Sequence, residues 1–194
     1  MTQLAQPAEV KAYWCETLAP KDWYVANDDV DTVIRDRFLP TWEAAHAGEL
    51  DWAKDADGSF AYLILTDQFP RNMFRGDGRS FATDPRAIET AKAAIAAGWD
   101  LETPEPERQF FYLPLMHAEN LPDQDESILC FETRMPETGE KNIDHAHAHR
   151  WVIAEFGRFP YRNAALDRET TEAEQEFLDA GGYRYAVQKI QGTE

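Results

Sequence analysis

A chain of 194 residues with 43% hydrophobic and 12% aromatic content can bury a full core and falls within the usual size of one domain, so a single domain over 1–194 is the expectation. Its formal net charge of −17 repels phosphate backbones and anionic bilayers over the whole surface, which argues against nucleic acid and membranes as partners. No window approaches eighteen apolar residues, Met1 to Glu9 lacks a basic end followed by an apolar stretch, and Cys15 and Cys130 form no CxxC pair; the chain reads as a cytoplasmic protein with both thiols reduced.

Apolar residues recur at three and four rather than two along nearly every periodic segment, which predicts helices. Pro7 suits a first helical position, with Val10, Tyr13, Trp14 and Leu18 following at helical spacing. A second helix starts near Asp28 and carries Val30, Val33, Ile34 and Phe38 inward, with Pro40 kinking or restarting it before Gly48 ends it. Ser59 is positioned to cap a helix over Phe60 to Phe69 that is apolar all round and therefore central to the core. Asp84-Pro85 opens an alanine-rich helix closed by Gly98. The run Phe110 to Met116, too apolar for an exposed loop, passes through the core and delivers His117 and Glu119 to its edge. Pro122 and Asp123 begin a helix with Ile128, Leu129 and Phe131, Asn142 begins one ending at Gly157, and Thr171 with Glu174 fits a capping box. Tyr183 to Ile190 alternates weakly and reads as a short packed tail within 179–194. The sum is an all-α fold of about eight helices in antiparallel pairs.

Two segments echo each other: Asp67-Gln68-Phe69-Pro70-Arg71-Asn72 and Gly157-Arg158-Phe159-Pro160-Tyr161-Arg162-Asn163. A guanidinium and an amide behind a proline-fixed turn are donors on a stiff backbone, suited to a carboxylate or phosphate. Equally, such side chains satisfy orphan carbonyls where helices stop. Arg71, Arg75, Arg79, Arg158, Arg162 and Arg168 crowd these two regions. His145 and His149 share a helix face with Val152, Ile153 and Phe156, while His147 is out of phase. An imidazole pair four apart can chelate a metal with His117 and Glu119, but HExxH is absent and helix geometry does not bring His117 near, so no metal and no cofactor is assigned. The expected site gathers Asp67, Arg71, Asn72, His117, Glu119, His149, Arg158, Arg162 and Asn163 around a small anionic ligand or acidic peptide end. Two alternatives stay open: a hydrolase using His117, Glu119 and His149, with or without a metal, and a scaffold that docks a protein partner.

At these motifs the chain resembles the bacterial domain-of-unknown-function family numbered 924. The resemblance rests on Leu65-Thr66-Asp67-Gln68-Phe69-Pro70-Arg71-Asn72 with Arg75-Gly76, on Phe81-Ala82-Thr83-Asp84, on Tyr112 through Glu119, and on His149 with Phe156 through Asn163 and Arg168, within about 13–178. It implies a TPR-like helical array and no established reaction. The chain departs from the family where Ala118 replaces the usual Ser, Tyr161 the usual His, Asp167 the usual Gly, and His145 an expected aromatic residue.

Overall fold

The structure, a computed structural model, describes residues 4–193; Met1–Gln3, part of the stretch read above for a leader, and Glu194, the end of the tail, lie outside them. All regular structure among the described residues is helical, with no strand, as the periodicity predicts. The chain divides into two compact units, Met1–Pro114 and Leu115–Glu194.

In the first unit, helix α1 (Pro7–Lys11) begins at its proline and runs into a π-helical stretch, Ala12–Thr17, that buries Tyr13 and Trp14. Helix α2 (Asp28–Ala47) is capped by the Asn27 side chain, which accepts from Asp29 and Val30 N–H, and ends at Gly48 with φ +81°. It continues through Pro40 without a restart. Ile34, Phe38, Trp42 and Ala45 face the core, whereas Val33, expected inside, lies one residue off that stripe and is exposed. Helices α3 (Ala56–Leu63) and α4 (Phe69–Met73) are two halves of one rod joined by a π-helical segment, Ile64–Gln68. Its cap is Asp55, which accepts from Gly58 N–H, and Ser59 is buried inside the helix rather than capping it. Gly58 is required because a Cβ there would stand 2.0 Å from the Trp52 carbonyl oxygen. The rod is buried on all sides, as its uniform apolarity predicts, with Phe69 against Phe38 and Trp14 at ring separations of 4.7 and 5.7 Å. Helix α5 (Asp84–Ala97) closes on Gly98, and Phe110, Phe111 and Tyr112 are buried ahead of the single turn α6 (Leu113–Met116).

In the second unit, helix α7 (Leu121–Arg134) is capped by Asn120 and packs against α8 (Glu140–Phe156), which starts two residues before the expected Asn142 and ends at Gly157. Helix α9 (Glu172–Asp179) carries the predicted Thr171/Glu174 capping box. The segment read as a tail is a helix, α10 (Tyr183–Gln191), packed on α8. Its inward residues Tyr183, Ala186, Val187 and Ile190 follow the three-and-four spacing. Val152, Ile153, Phe159 and Phe177 complete that core.

Candidate functional site

In the first unit the polar cluster is built on a backbone defect. Pro70 has no N–H for the Thr66 carbonyl four residues back. Thr83 Oγ1 donates to that carbonyl at 2.6 Å, and Trp42 Nε1 donates to Thr83 Oγ1 at 3.2 Å. Arg71 then answers the next carbonyl, donating through Nη1 to Asp67 O at 2.6 Å. The same guanidinium forks onto Asp84 at 2.9 and 3.0 Å and lies 3.1 Å from Asp67 Oδ1. Asp67 is 1% exposed and also accepts from Gln68 Nε2 at 2.6 Å. Asn72 donates to Asp31 Oδ1 at 2.8 Å, and Arg75 closes a fork on the same carboxylate.

In the second unit Arg158 forks onto Glu174 at 2.6 and 2.8 Å and donates to the Glu169 carbonyl at 2.7 Å. Asn163 Nδ2 donates to Glu174 Oε2 at 3.2 Å, and Thr171 N–H to the same oxygen at 2.8 Å. The Arg158 fork and the Thr171 N–H outweigh burial and hold the Glu174 carboxyl at about 2. Glu119 accepts a two-armed Arg168 fork, both arms at 2.8 Å, and the Phe159 N–H at 3.0 Å. Burial pushes its carboxyl up, but the Arg168 fork, the Phe159 N–H and the charges of Arg162 and Arg168 together hold it below the usual range. Arg162, 6% exposed, donates to the His117 carbonyl at 3.1 Å and lies 4.5 Å over the Phe159 ring.

Beside Arg162 stands an imidazole cluster. His149 packs edge-on to Phe159 at 5.4 Å, against Tyr183 at 4.7 Å and near His117 at 6.1 Å. Its Nδ1 lies 2.8 Å from the His145 carbonyl oxygen. A carbonyl only accepts, so Nδ1 carries the proton and the neutral ring keeps Nε2 as an acceptor. Burial first, and then the neighbouring His117 and Arg162, push the His149 pKa down to about 3. His145 Nδ1 and the Tyr183 hydroxyl share a hydrogen bond of 2.6 Å, and burial raises the Tyr183 pKa. Tyr161 stacks on Phe159 at 5.3 Å and turns its edge to Tyr183 at 6.2 Å.

Of the nine residues expected at one site, Asp67, Arg71 and Asn72 belong to the first unit, and His117, Glu119, His149, Arg158, Arg162 and Asn163 to the second. Within the second unit, His117 and Arg162 meet His149, while Arg158 and Asn163 meet at Glu174. Among the described residues no group of three or more His, Cys, Asp or Glu side chains is placed to hold a metal ion. The sequence reading missed the carboxylates that these arginines answer: it does not single out Asp31, takes Asp84 as opening a helix and as part of the family resemblance, and takes Glu174 only as a capping-box residue. Tyr183 was hidden in the supposed tail; the three-and-four spacing of Tyr183, Ala186 and Ile190 was the available signal.

Fold and site together define an all-helical protein that fixes its buried carboxylates with arginine forks and sets a neutral imidazole beside one buried guanidinium. A family model described as "Bacterial protein of unknown function (DUF924)" matches residues 10–182, and the chain belongs to that family. A solved structure, that of a protein of unknown function from Agrobacterium tumefaciens, is similar at 38% identity, covering 90% of this chain and 97% of that one with a TM-score of 0.83. No curated protein matches. Among the described residues no helix is long and apolar enough to cross a membrane.

Proposed function

We propose that this protein is a cytoplasmic ligand-binding protein that holds a small anion or acidic peptide end at the His117–His149–Arg162 cluster of its second unit. The observation that carries this reading is the fixed tautomer of His149: Nδ1–H is used on the His145 carbonyl, which leaves Nε2 as an acceptor close to the charge of Arg162. An acceptor beside a cation is complementary to a ligand that presents a donor next to an anionic oxygen, as a peptide C-terminus or a monoprotonated phosphate does. A TPR-like stacking of helix pairs, implied by the family resemblance, suits the capture of a peptide end. The hydrolase reading asks for a base that titrates near the working pH; His149, held at about 3, does not supply it.

Nitrogen NMR of the histidine rings tests this. Addition of inorganic phosphate or a peptide ending in glutamate is expected to move the His149 Nε2 resonance toward a hydrogen-bonded position, with succinate, an acceptor-only dianion at neutral pH, shifting it less, and His149→Phe is expected to remove binding while helicity stays. If none of the three probes shifts any ring nitrogen or raises the melting temperature, the cluster is scaffolding and the proposal falls.

A further inference from the structure

A second candidate site lies in the first unit, apart from the His117–His149–Arg162 cluster proposed above for ligand binding. A cleft of about 530 Å³ runs along α2, lined on that side by Asp28, Thr32, Arg35 and Leu39. These positions recur at four, three and four, so they form one stripe of the helix. The opposite wall is the end of α4, Asn72 and Met73, with the turn that follows it to Arg79. Three guanidinium groups and three carboxylates line the cleft, and four of these six charges are closed against each other. Arg75 forks onto Asp31 with Asn72 on the same carboxylate. Arg79 forks onto Asp77 and lies 4.4 Å over the Phe74 ring.

Asp28 and Arg35 are the exceptions. Among the described residues Asp28 makes no hydrogen bond or ion pair, and Arg35 has only the Met73 carbonyl, at 2.8 Å, which leaves most of its donors unused. They cannot answer each other directly: seven residues separate them, about 10 Å along the helix axis, whereas helical ion pairs form at three or four. An unanswered carboxylate and a guanidinium held only by one carbonyl therefore line one cleft from backbone positions about 10 Å apart along α2, over an apolar floor of Leu39, Met73 and Phe74.

We propose that this cleft binds a short zwitterionic peptide, with its ammonium at Asp28 and its carboxylate at Arg35. An extended chain covers about 3.3 to 3.6 Å per residue, so three residues match the spacing. The volume lies within the range of small-molecule sites. A plain anion is the poorer fit: the cleft's formal charges sum to zero, so it offers no net positive charge to hold one, whereas a zwitterion answers both Asp28 and Arg35.

Backbone-amide NMR of the full chain with trialanine as probe tests this. Shifts are expected along Asp28–Leu39 and Asn72–Arg79, with weakening of up to about fivefold when either end of the peptide is capped, by N-acetylation or C-amidation. Arg35→Gln and Asp28→Asn are expected to weaken trialanine binding by a similar factor. Asp36→Asn, on the same helix outside the lining, is expected to leave it unchanged. Both site residues are exposed, so circular dichroism of the variants should match the parent. Absence of shifts in these two segments overturns the proposal, as does equal binding of capped and uncapped peptide. Binding of inorganic phosphate as tight as trialanine would make the cleft an anion site and equally overturn it. Shifts confined to the surroundings of His149 would report the second unit's cluster and leave this cleft without its ligand, so the two proposals fail separately.

Discussion

Replacing Arg71 with alanine removes the guanidinium shared by two nearly buried carboxylates. The side chains of Asp67 and Asp84 are 2% and 11% exposed, and that of Arg71 is 21% exposed. The hydrogen bonds lost include two to Asp84 and one to the Asp67 carbonyl, while Gln68 Nε2 stays on Asp67. Removing one partner of a buried ion pair costs about 3 to 5 kcal/mol, because the remaining charge is stranded in a medium that solvates it poorly. For a chain of this length each kcal/mol lowers the melting temperature by about 2 to 4 °C, so a fall of roughly 6 to 20 °C is expected. The assay is thermal unfolding followed by circular dichroism, with and without added phosphate or succinate. Neutralising the stranded charges is the internal control: Arg71→Leu combined with Asp67→Asn and Asp84→Asn should recover a large part of the loss, since an uncharged set carries little desolvation penalty. A fall of less than about 2 °C in Arg71→Ala, outside the range that a stranded buried charge gives, would refute the clamp. If added anions also stabilised the parent but not the variant, Arg71 would be a ligand-holding residue instead.

Three further outcomes follow from the second unit. Asp167 is the one non-glycine among the described residues with positive φ, +51°, and Asp167→Gly should raise stability by up to about 1 kcal/mol in urea unfolding, whereas Asp167→Val should lower it by about 1 to 2 kcal/mol. Glu174 has a folded-state pKa of about 2 against an ordinary 4.5, so its contribution is complete above 4.5 and disappears as pH falls toward 2; Glu174→Gln should flatten that part of the acid unfolding curve. His149 is depressed from 6.5 to about 3, so the unfolded chain binds the extra proton between those values and stability drops as pH falls through them; His149→Phe should remove that slope, measured as melting temperature against pH.

Helix content and most helix ends were legible because they depend on local chemistry. Gly48, Gly98 and Gly157 end their helices in the left-handed conformation, and the Thr171/Glu174 box forms as its spacing predicts. Ser59 misled because a hydroxyl before an apolar run looks like a cap, while the true cap, Asp55, stands four residues earlier ahead of Gly58, whose role depends on contact with Trp52. The tail was misread because Tyr183, Tyr185 and Val187 alternate in sequence, and only packing on α8 selects the helical stripe. At the site, the residue types were legible and the pairings were not. Arg71 with Asp84, and Arg168 with Glu119, join positions that no local spacing connects.

The two Phe-Pro echoes show which part of the motif is structural. Asn72 and Asn163 each donate an amide to a buried carboxylate, Asp31 and Glu174, and each carboxylate is also gripped by an arginine fork, from Arg75 and Arg158. The arrangements are alike in chemistry but not in chain order. Asp31 precedes its asparagine and Glu174 follows it, while Arg75 follows Asn72 and Arg158 precedes Asn163. What the echo preserves is therefore a requirement: a proline removes a backbone donor at a buried bend, and the carboxylate brought in beside it needs both a charge and an amide to remain ionised without water. Function is then to be sought where the echoes differ. The second motif inserts Tyr161 between its proline and arginine, and that ring stacks on Phe159 and borders Tyr183, widening the aromatic wall around His149. The first motif has no counterpart to this residue, and its arginine is spent on Asp84. Within the second unit one short motif thus joins the clamp through Asn163 and borders the imidazole cluster through Phe159, Tyr161 and Arg162.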